Sequence, residues 1–212
     1  MLIAIDGPSA SGKGTIAHGL AEHYHLDYLN TGLLYRRSAM EAQKAGISLE
    51  DEATLRKLIE EIDWMQKPDS KTMTTLMQED IGQAASKVAS YPEVRAALLT
   101  TQKNFARRPQ GAILDGRDIG TVICPDADHK LFVTANHEVR AKRRYLQLSP
   151  KHPDLTFDDV LEQIRRRDIR DQSRAVAPLV AAPDALTLNT TQMKVDEALQ
   201  KAINWIDLRR QD

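Results

Sequence analysis

Residues 2–15 read "LIAIDGPSASGKGT", and no other stretch narrows the possible folds as far. Leu2 to Ile5 form a short apolar run with β-branched content, broken at once by Gly, Pro and Ser. Such a run is expected to be a buried parallel strand that ends in a loop. From Ser11 to Tyr24 the pattern turns helical, with Ile16, Leu20 and Tyr24 on one face. A strand that passes through a glycine-rich loop straight into a helix starts a βα unit, so an α/β fold is predicted.

The loop itself matches G-x-x-x-x-G-K-[ST] at Gly7, Gly12 and Lys13. Glycines let the backbone turn its N–H groups toward one anion, and the following helix adds its positive end. Gly7, Pro8, Ser9, Ala10, Ser11, Gly12, Lys13, Gly14 and Thr15 are therefore the candidate phosphate cradle. Gly14 stands where Ser or Thr is expected and has no hydroxyl to give a magnesium ion. Thr15 or ordered water would take that role. A ligand-free glycine turn is the plain alternative, but the strand, loop, lysine and helix follow in the order that phosphate binding needs.

Further elements follow the same alternation. Helices are expected over 31–45 and from Ser48 to Ile62, with Asp51 as a cap signal three residues after Ser48, then over 80–89 and from Pro92 to Arg107. Residues 63–79 contain a Pro-Asp-Ser turn and suggest a small hairpin insertion. Core strands are expected at "AILD" (112–115), "KLFVT" (130–134) and "ALTLN" (185–189). Asn136 can cap the helix that carries "EVRAKRRYLQL", and Thr156 with Asp159 the one that carries "VLEQIRRRDI". A last helix runs from Val195 to Leu208.

Bulk composition excludes more than it identifies. A net charge of -1 gives no general pull toward nucleic acid or membrane. No apolar run approaches the roughly 20 residues that span a bilayer, and no charged n-region with an apolar h-region opens the chain, so no signal peptide is expected. Cys124 is the single cysteine, so no internal disulfide forms. Cytoplasmic location is expected. So is a monomer, because no apolar surface stripe calls for a partner. His18, His23 and His25 cluster without Cys or matching carboxylates and read as structural or surface residues.

Four further segments, "NTGLLYR" (30–36), "GQAASKVASYPEVR" (82–95), "LDGRDIGTVICPDAD" (114–128) and "RRRDIRDQSRAVAPL" (165–179), follow the loop in order. Together with "GKGT" they closely resemble the bacterial cytidylate kinases, a family of nucleoside monophosphate kinases, from residue 2 to about residue 205. The resemblance implies a single P-loop kinase domain over 1–212: a three-layer α/β fold with a five-stranded parallel sheet, a nucleotide-binding insertion at about 31–108 and a short lid at about 144–174. It also implies transfer of the ATP γ-phosphoryl group to CMP or dCMP with Mg2+.

The residues suit that chemistry. A phosphate acceptor is already ionised, so the difficulty is repulsion between anions, and fixed arginines relieve it. On the family pattern, Arg36, Arg117 and Arg174 clamp the acceptor phosphate, and Thr31 adds a hydroxyl contact. Arg167 and Asp171 meet the ribose, while Ser86, Arg95 and Asp118 read the base. Asp118 can take the cytosine amino proton, and uracil would present it with an acceptor instead. Asp115 is the candidate to hold magnesium through water. Arg170 and Arg143 would close onto the ATP phosphates with the lid.

The pattern departs at Asn30, where an Asp is usual and where Asn brings no negative charge for an ion pair. Taken alone, "RRRDIRDQSR" reads as a solvated helix face and Arg117 with Asp118 as a loop ion pair; the downstream "AVAPL" at family spacing favours the site. A UMP or AMP kinase, and a non-catalytic nucleotide sensor or RNA-binding protein, are the alternatives. The missing aromatic platforms weigh against RNA.

Overall fold

A computed structural model describes residues 1–64, 66–150 and 152–210. Met65 and Lys151, within the predicted insertion and lid, lie outside the described residues. The chain divides into two compact units. One comprises Met1–Leu29 with Ala106–Asp212, the other Asn30–Phe105.

The first unit is built on a five-stranded sheet, all parallel, in the order β2-β3-β1-β4-β5. The strands are β1 (Leu2–Asp6), β2 (Asp27–Asn30), β3 (Ala112–Gly116), β4 (His129–Thr134) and β5 (Leu186–Asn189). β1 lies at the centre, in register with β3 (Ile5 beside Asp115) and with β4 (Ile5 beside Leu131). Helices α1 (Lys13–Tyr24) and α9 (Val195–Arg209) cover one face. There Ile3, Ile5, Ile113, Leu131 and Leu188 pack on Ile16 and Leu20 of α1 and on Ala202 and Ile206 of α9. Ala4 and Leu114, which point the other way by strand alternation, are equally buried. Burial on both faces is why these strands read as unbroken apolar runs.

Two more helices of this unit matter for the site. α7 (His137–Leu148) is capped by Asn136, whose side chain accepts from the Val139 N–H. α8 (Phe157–Gln172) opens with a reciprocal capping box between Thr156 and Asp159. After β3 the chain makes one wide turn over Ile119–Ile123, with N–H groups reaching back five residues.

The second unit holds α2 (Thr31–Lys44), α3 (Glu52–Glu61), α4 (Ser70–Leu76), α5 (Glu79–Val88) and most of α6 (Pro92–Ala106). Two expectations are corrected here. The hairpin predicted within 63–79 is not found among the described residues; Ser70–Leu76 is helical. Asp69 caps it by accepting from the Thr72 N–H at 2.7 Å, and the Thr74 and Thr75 hydroxyls bond back to the Ser70 and Lys71 carbonyls. These bonds let β-branched threonines sit in a helix. Helix α3 starts at Glu52 rather than Ser48, because Asp51 is itself the cap, accepting from the Thr54 N–H.

Gly7 leaves β1 at φ 151°, and a Cβ there would lie 2.0 Å from the Val133 carbonyl oxygen. Only a glycine fits where the loop crosses β4. Gly7→Ala should therefore destabilise the protein by about 3 kcal/mol or leave it insoluble, as read by urea unfolding.

Candidate functional site

The phosphate loop folds as its composition demands. Gly12, at φ 92°, is the N-cap of α1, and no side chain caps the helix. No acidic residue lies in its first turn. The open N–H groups and the helix dipole therefore favour an anion at this end. Lys13 arches back and donates from Nζ to the Pro8 carbonyl at 3.2 Å. Ser11 is fully buried, whereas Thr15 is exposed.

Ala10 sits in the left-handed region at φ 59°. Its side chain packs on the cluster formed by Ala141, Val160 and Ile164, from α7 and α8. The outer side of the loop is also clasped by two arginines of α7. Arg140 donates to the Ser9 carbonyl at 3.2 Å, and Arg143 to the Ser11 carbonyl at 3.4 Å. Arg143 bonds the Thr190 carbonyl at 2.8 Å as well. Thr190 in turn donates its hydroxyl to the Ser11 carbonyl at 2.8 Å.

Cations and carboxylates converge beside the loop. Asp171, 1% exposed in its side chain, receives Arg117 Nε at 2.8 Å. Arg174 pairs with its other oxygen, and Arg167 approaches to 3.9 Å. Burial works against the Asp171 carboxylate, but Arg117, Arg167 and Arg174 outweigh it and hold its pKa below the ordinary value. Three guanidinium groups on one carboxylate leave an excess of positive charge, which suits a phosphate ligand. Arg170 lies on the exposed side of α8.

Lys13 belongs to the same electrostatic group. Burial, then the Arg117 guanidinium, push its pKa down to about 7, while Asp115 and Asp171 pull it up. Asp115 is buried at the end of β3 and accepts from the Tyr28 hydroxyl at 2.7 Å. A Cβ on Gly14 would lie 3.4 Å from that carboxylate. Asp118 is buried next to Arg117 in sequence, at the head of the wide turn.

Thr31, Arg36, Ser86 and Arg95 lie in the second unit. Thr31 is buried at the first turn of α2. Arg36 donates to the Leu76 and Gln78 carbonyls at 2.6 and 2.9 Å and lies against Gly82. Arg95 is buried, donates to the Ala89 carbonyl and lies over the Tyr35 ring. Ser86 is buried on α5.

Sequence reasoning missed Tyr28, Arg140 and Asp168. Arg140 and Asp168 are both buried and form a two-pronged pair at 3.1 and 2.5 Å, with His137 Nε2 3.1 Å from the same carboxylate. Asp168 precedes Asp171 by three residues, so on α8 the two point about 60° apart. One carboxylate fixes the helix to α7 and the phosphate loop, the other gathers the arginines. The run "RRRDIRD" carried the only available signal, two acids at i and i+3 among arginines.

The model of the cytidylate kinase family matches residues 3–208. The chain is 50% identical to the cytidylate kinase of Methylocella silvestris over 203 residues, covering 96% of this chain and 92% of the relative. It is 47% identical to the cytidylate kinase of Cereibacter sphaeroides over 213 residues, covering 98% and 96%. Among solved structures, an uncharacterized protein from Eubacterium ventriosum aligns with a TM-score of 0.55 at 15% identity, over 98% of each chain. That likeness concerns the fold.

Two measurements test this geometry. Asp168→Asn leaves the buried Arg140 cation short of its counter-charge and should cost about 3–5 kcal/mol in chemical denaturation. Burial and Arg117 hold the Lys13 pKa down to about 7, and a polyphosphate bound against the loop would raise it. ATP affinity should hold below pH 7 and fall about tenfold per unit above it. Calorimetry at pH 8 in buffers of different ionisation heat should show proton uptake on ATP binding, and Lys13→Met should abolish it.

Proposed function

The chain belongs to the cytidylate kinase family, and from that membership together with the cationic cluster at Asp171 we infer that it transfers the γ-phosphoryl group of ATP to CMP or dCMP. The products are ADP and CDP or dCDP. The observation that carries this reading is the convergence of Arg117, Arg167 and Arg174 on one buried carboxylate. A protein that only holds ATP needs no second set of phosphate-binding cations.

In this reading residues 7–15 cradle the donor phosphates, with Lys13 reaching toward the terminal ones and Arg143 supporting the loop. Arg117, Arg174 and Arg36 bind the acceptor phosphate, to which Thr31 adds its hydroxyl. Arg167 and Asp171 meet the ribose. Asp118, Ser86 and Arg95 read cytosine. Arg170 moves onto the transferring group as residues 144–174 close as a lid. Residues 31–108 act as the nucleotide-binding insertion. The acceptor oxygen is ionised at neutral pH, so catalysis consists of alignment and charge neutralisation rather than proton removal. The substrates are small nucleotides, and a monomer in the cytoplasm suffices for the reaction.

Magnesium suits the residues at the loop. Asp115 brings a buried carboxylate up to the Gly14 backbone, and Thr15 offers a hydroxyl. These are the hard oxygen donors that Mg2+ prefers, and with so few protein ligands the ion takes most of its shell from phosphates and water. When bound, it neutralises charge on the ATP phosphates. Tyr28 keeps Asp115 oriented by its hydrogen bond.

ADP release, coupled to a reporter, tests the assignment with CMP, dCMP, UMP and AMP as acceptors. CMP and dCMP should outpace the others. Lys13→Ala and Arg174→Ala should each lower kcat/KM by about 100-fold or more. Faster turnover of UMP or AMP, or near-normal rates in both variants, overturns it.

A further inference from the structure

Asp6 closes β1, immediately before the phosphate loop, and is 4% exposed. Its carboxylate does not face the loop's N–H groups. It crosses to the segment after β3, where Oδ1 accepts the Ile119 N–H and Oδ2 the Gly120 N–H, each at 2.8 Å. Those N–H groups begin the wide turn. Further along, Val122 and Ile123 both donate to the Asp118 carbonyl, at 2.9 and 3.1 Å. Asp6 is therefore a cap supplied from a neighbouring strand.

The segment it caps is held from the other side too. Arg117 is bound through Nε to Asp171 and through a second nitrogen to the Gly116 carbonyl. Asp118 lies between these two attachments, with no freedom to slide along the chain. Gly120 completes the fit. A Cβ there would stand 3.2 Å from Lys130 Cδ and 3.5 Å from Asp6 Oδ2, so the turn lies close against both side chains.

A neutral side chain could satisfy one of the two N–H groups at lower cost. Burial pushes the Asp6 pKa up to about 7, and the Asp118 charge adds to the rise, while the two N–H bonds and Arg117 pull it down. A second buried acid beside Asp118 is a costly way to end a strand, which points to the placement of Asp118 as what it secures.

We propose that Asp6 is a positioning residue for base selection: its two-pronged bond to Ile119 and Gly120 fixes the Asp118 carboxylate where it distinguishes cytosine from uracil. The inference rests on the reading of Asp118 as the acceptor for the cytosine amino group. Asp6 touches neither base nor phosphate and acts through the turn.

Steady-state kinetics on the full chain separate this role from a structural one. Asp6→Asn keeps the size of the side chain but sets an amide NH2 against one N–H donor. It should raise KM for CMP about tenfold and lower the CMP-over-UMP ratio of kcat/KM by a similar factor, with kcat and the KM for ATP nearly unchanged. Asp118→Asn, measured in parallel, should collapse the same ratio. A normal ratio in Asp6→Asn beside a collapsed one in Asp118→Asn overturns the role of Asp6 alone. A normal ratio in Asp118→Asn overturns the reading of the base contact, and the role of Asp6 with it. A rise in the KM for ATP with an unchanged ratio identifies Asp6 as a support of the phosphate loop instead and overturns the proposal. Should Asp6→Asn fail to fold, Asp6→Glu keeps the charge but moves the carboxylate by one methylene relative to the two N–H groups, and the same ratio decides.

Discussion

Like charges must be brought together before a phosphoryl group can pass between two anions, and in the proposed site positive charge is concentrated around a minimum of negative. Asp171 is that minimum. It holds Arg117 and Arg174 by direct ion pairs, with Arg167 at 3.9 Å. A second carboxylate in the same place would cancel the excess of positive charge. None at all would scatter the arginines. Burial first, then Arg117 and Arg167, push the pKa of Lys13 down, so the same positive charge is felt from the side of the loop.

Everything around the cluster serves to keep it aligned. The parallel sheet brings the ends of β1 and β3 side by side, which sets Asp6 next to Gly116 so that the glycine loop and the Arg117–Asp118 segment leave the sheet together. α8 supplies Asp171 and Arg167, Arg174 follows just past its end, and its rotation is fixed one turn earlier by Asp168 against Arg140. A buried ion pair contributes little net stability compared with apolar packing, but it tolerates few orientations. In a site where charge must be aimed, that intolerance is useful.

Much of this was legible in the residues, and the failures have physical causes. β1, β3 and β4 announce themselves as apolar runs because both faces of the sheet are covered. β2, "DYLN", is an edge strand with four half-buried residues and no alternation, so nothing in its sequence marks it. α4 was hidden by threonines, which favour strands until their hydroxyls find carbonyls one turn back. The arginine motifs were readable through resemblance. The pairs Arg140–Asp168, Tyr28–Asp115 and Asp6 with the Ile119 turn were not, since they join residues 28, 87 and more than 100 positions apart. Local pattern has no access to such pairings.

The left-handed Ala10 has an implication for how portable this phosphate loop is. Glycine at that position would relax a backbone strain of about 1–2 kcal/mol, but it would also withdraw a methyl, worth about 0.8 kcal/mol when buried, from the apolar seam between α7 and α8. The two effects oppose each other, which leaves glycine a net gain of at most about 1 kcal/mol. What differs is autonomy. A glycine loop is a cassette that can be lifted into another scaffold. This one is keyed into its helices by a side chain, so a transplant of residues 7–15 would have to bring α7 and α8 along.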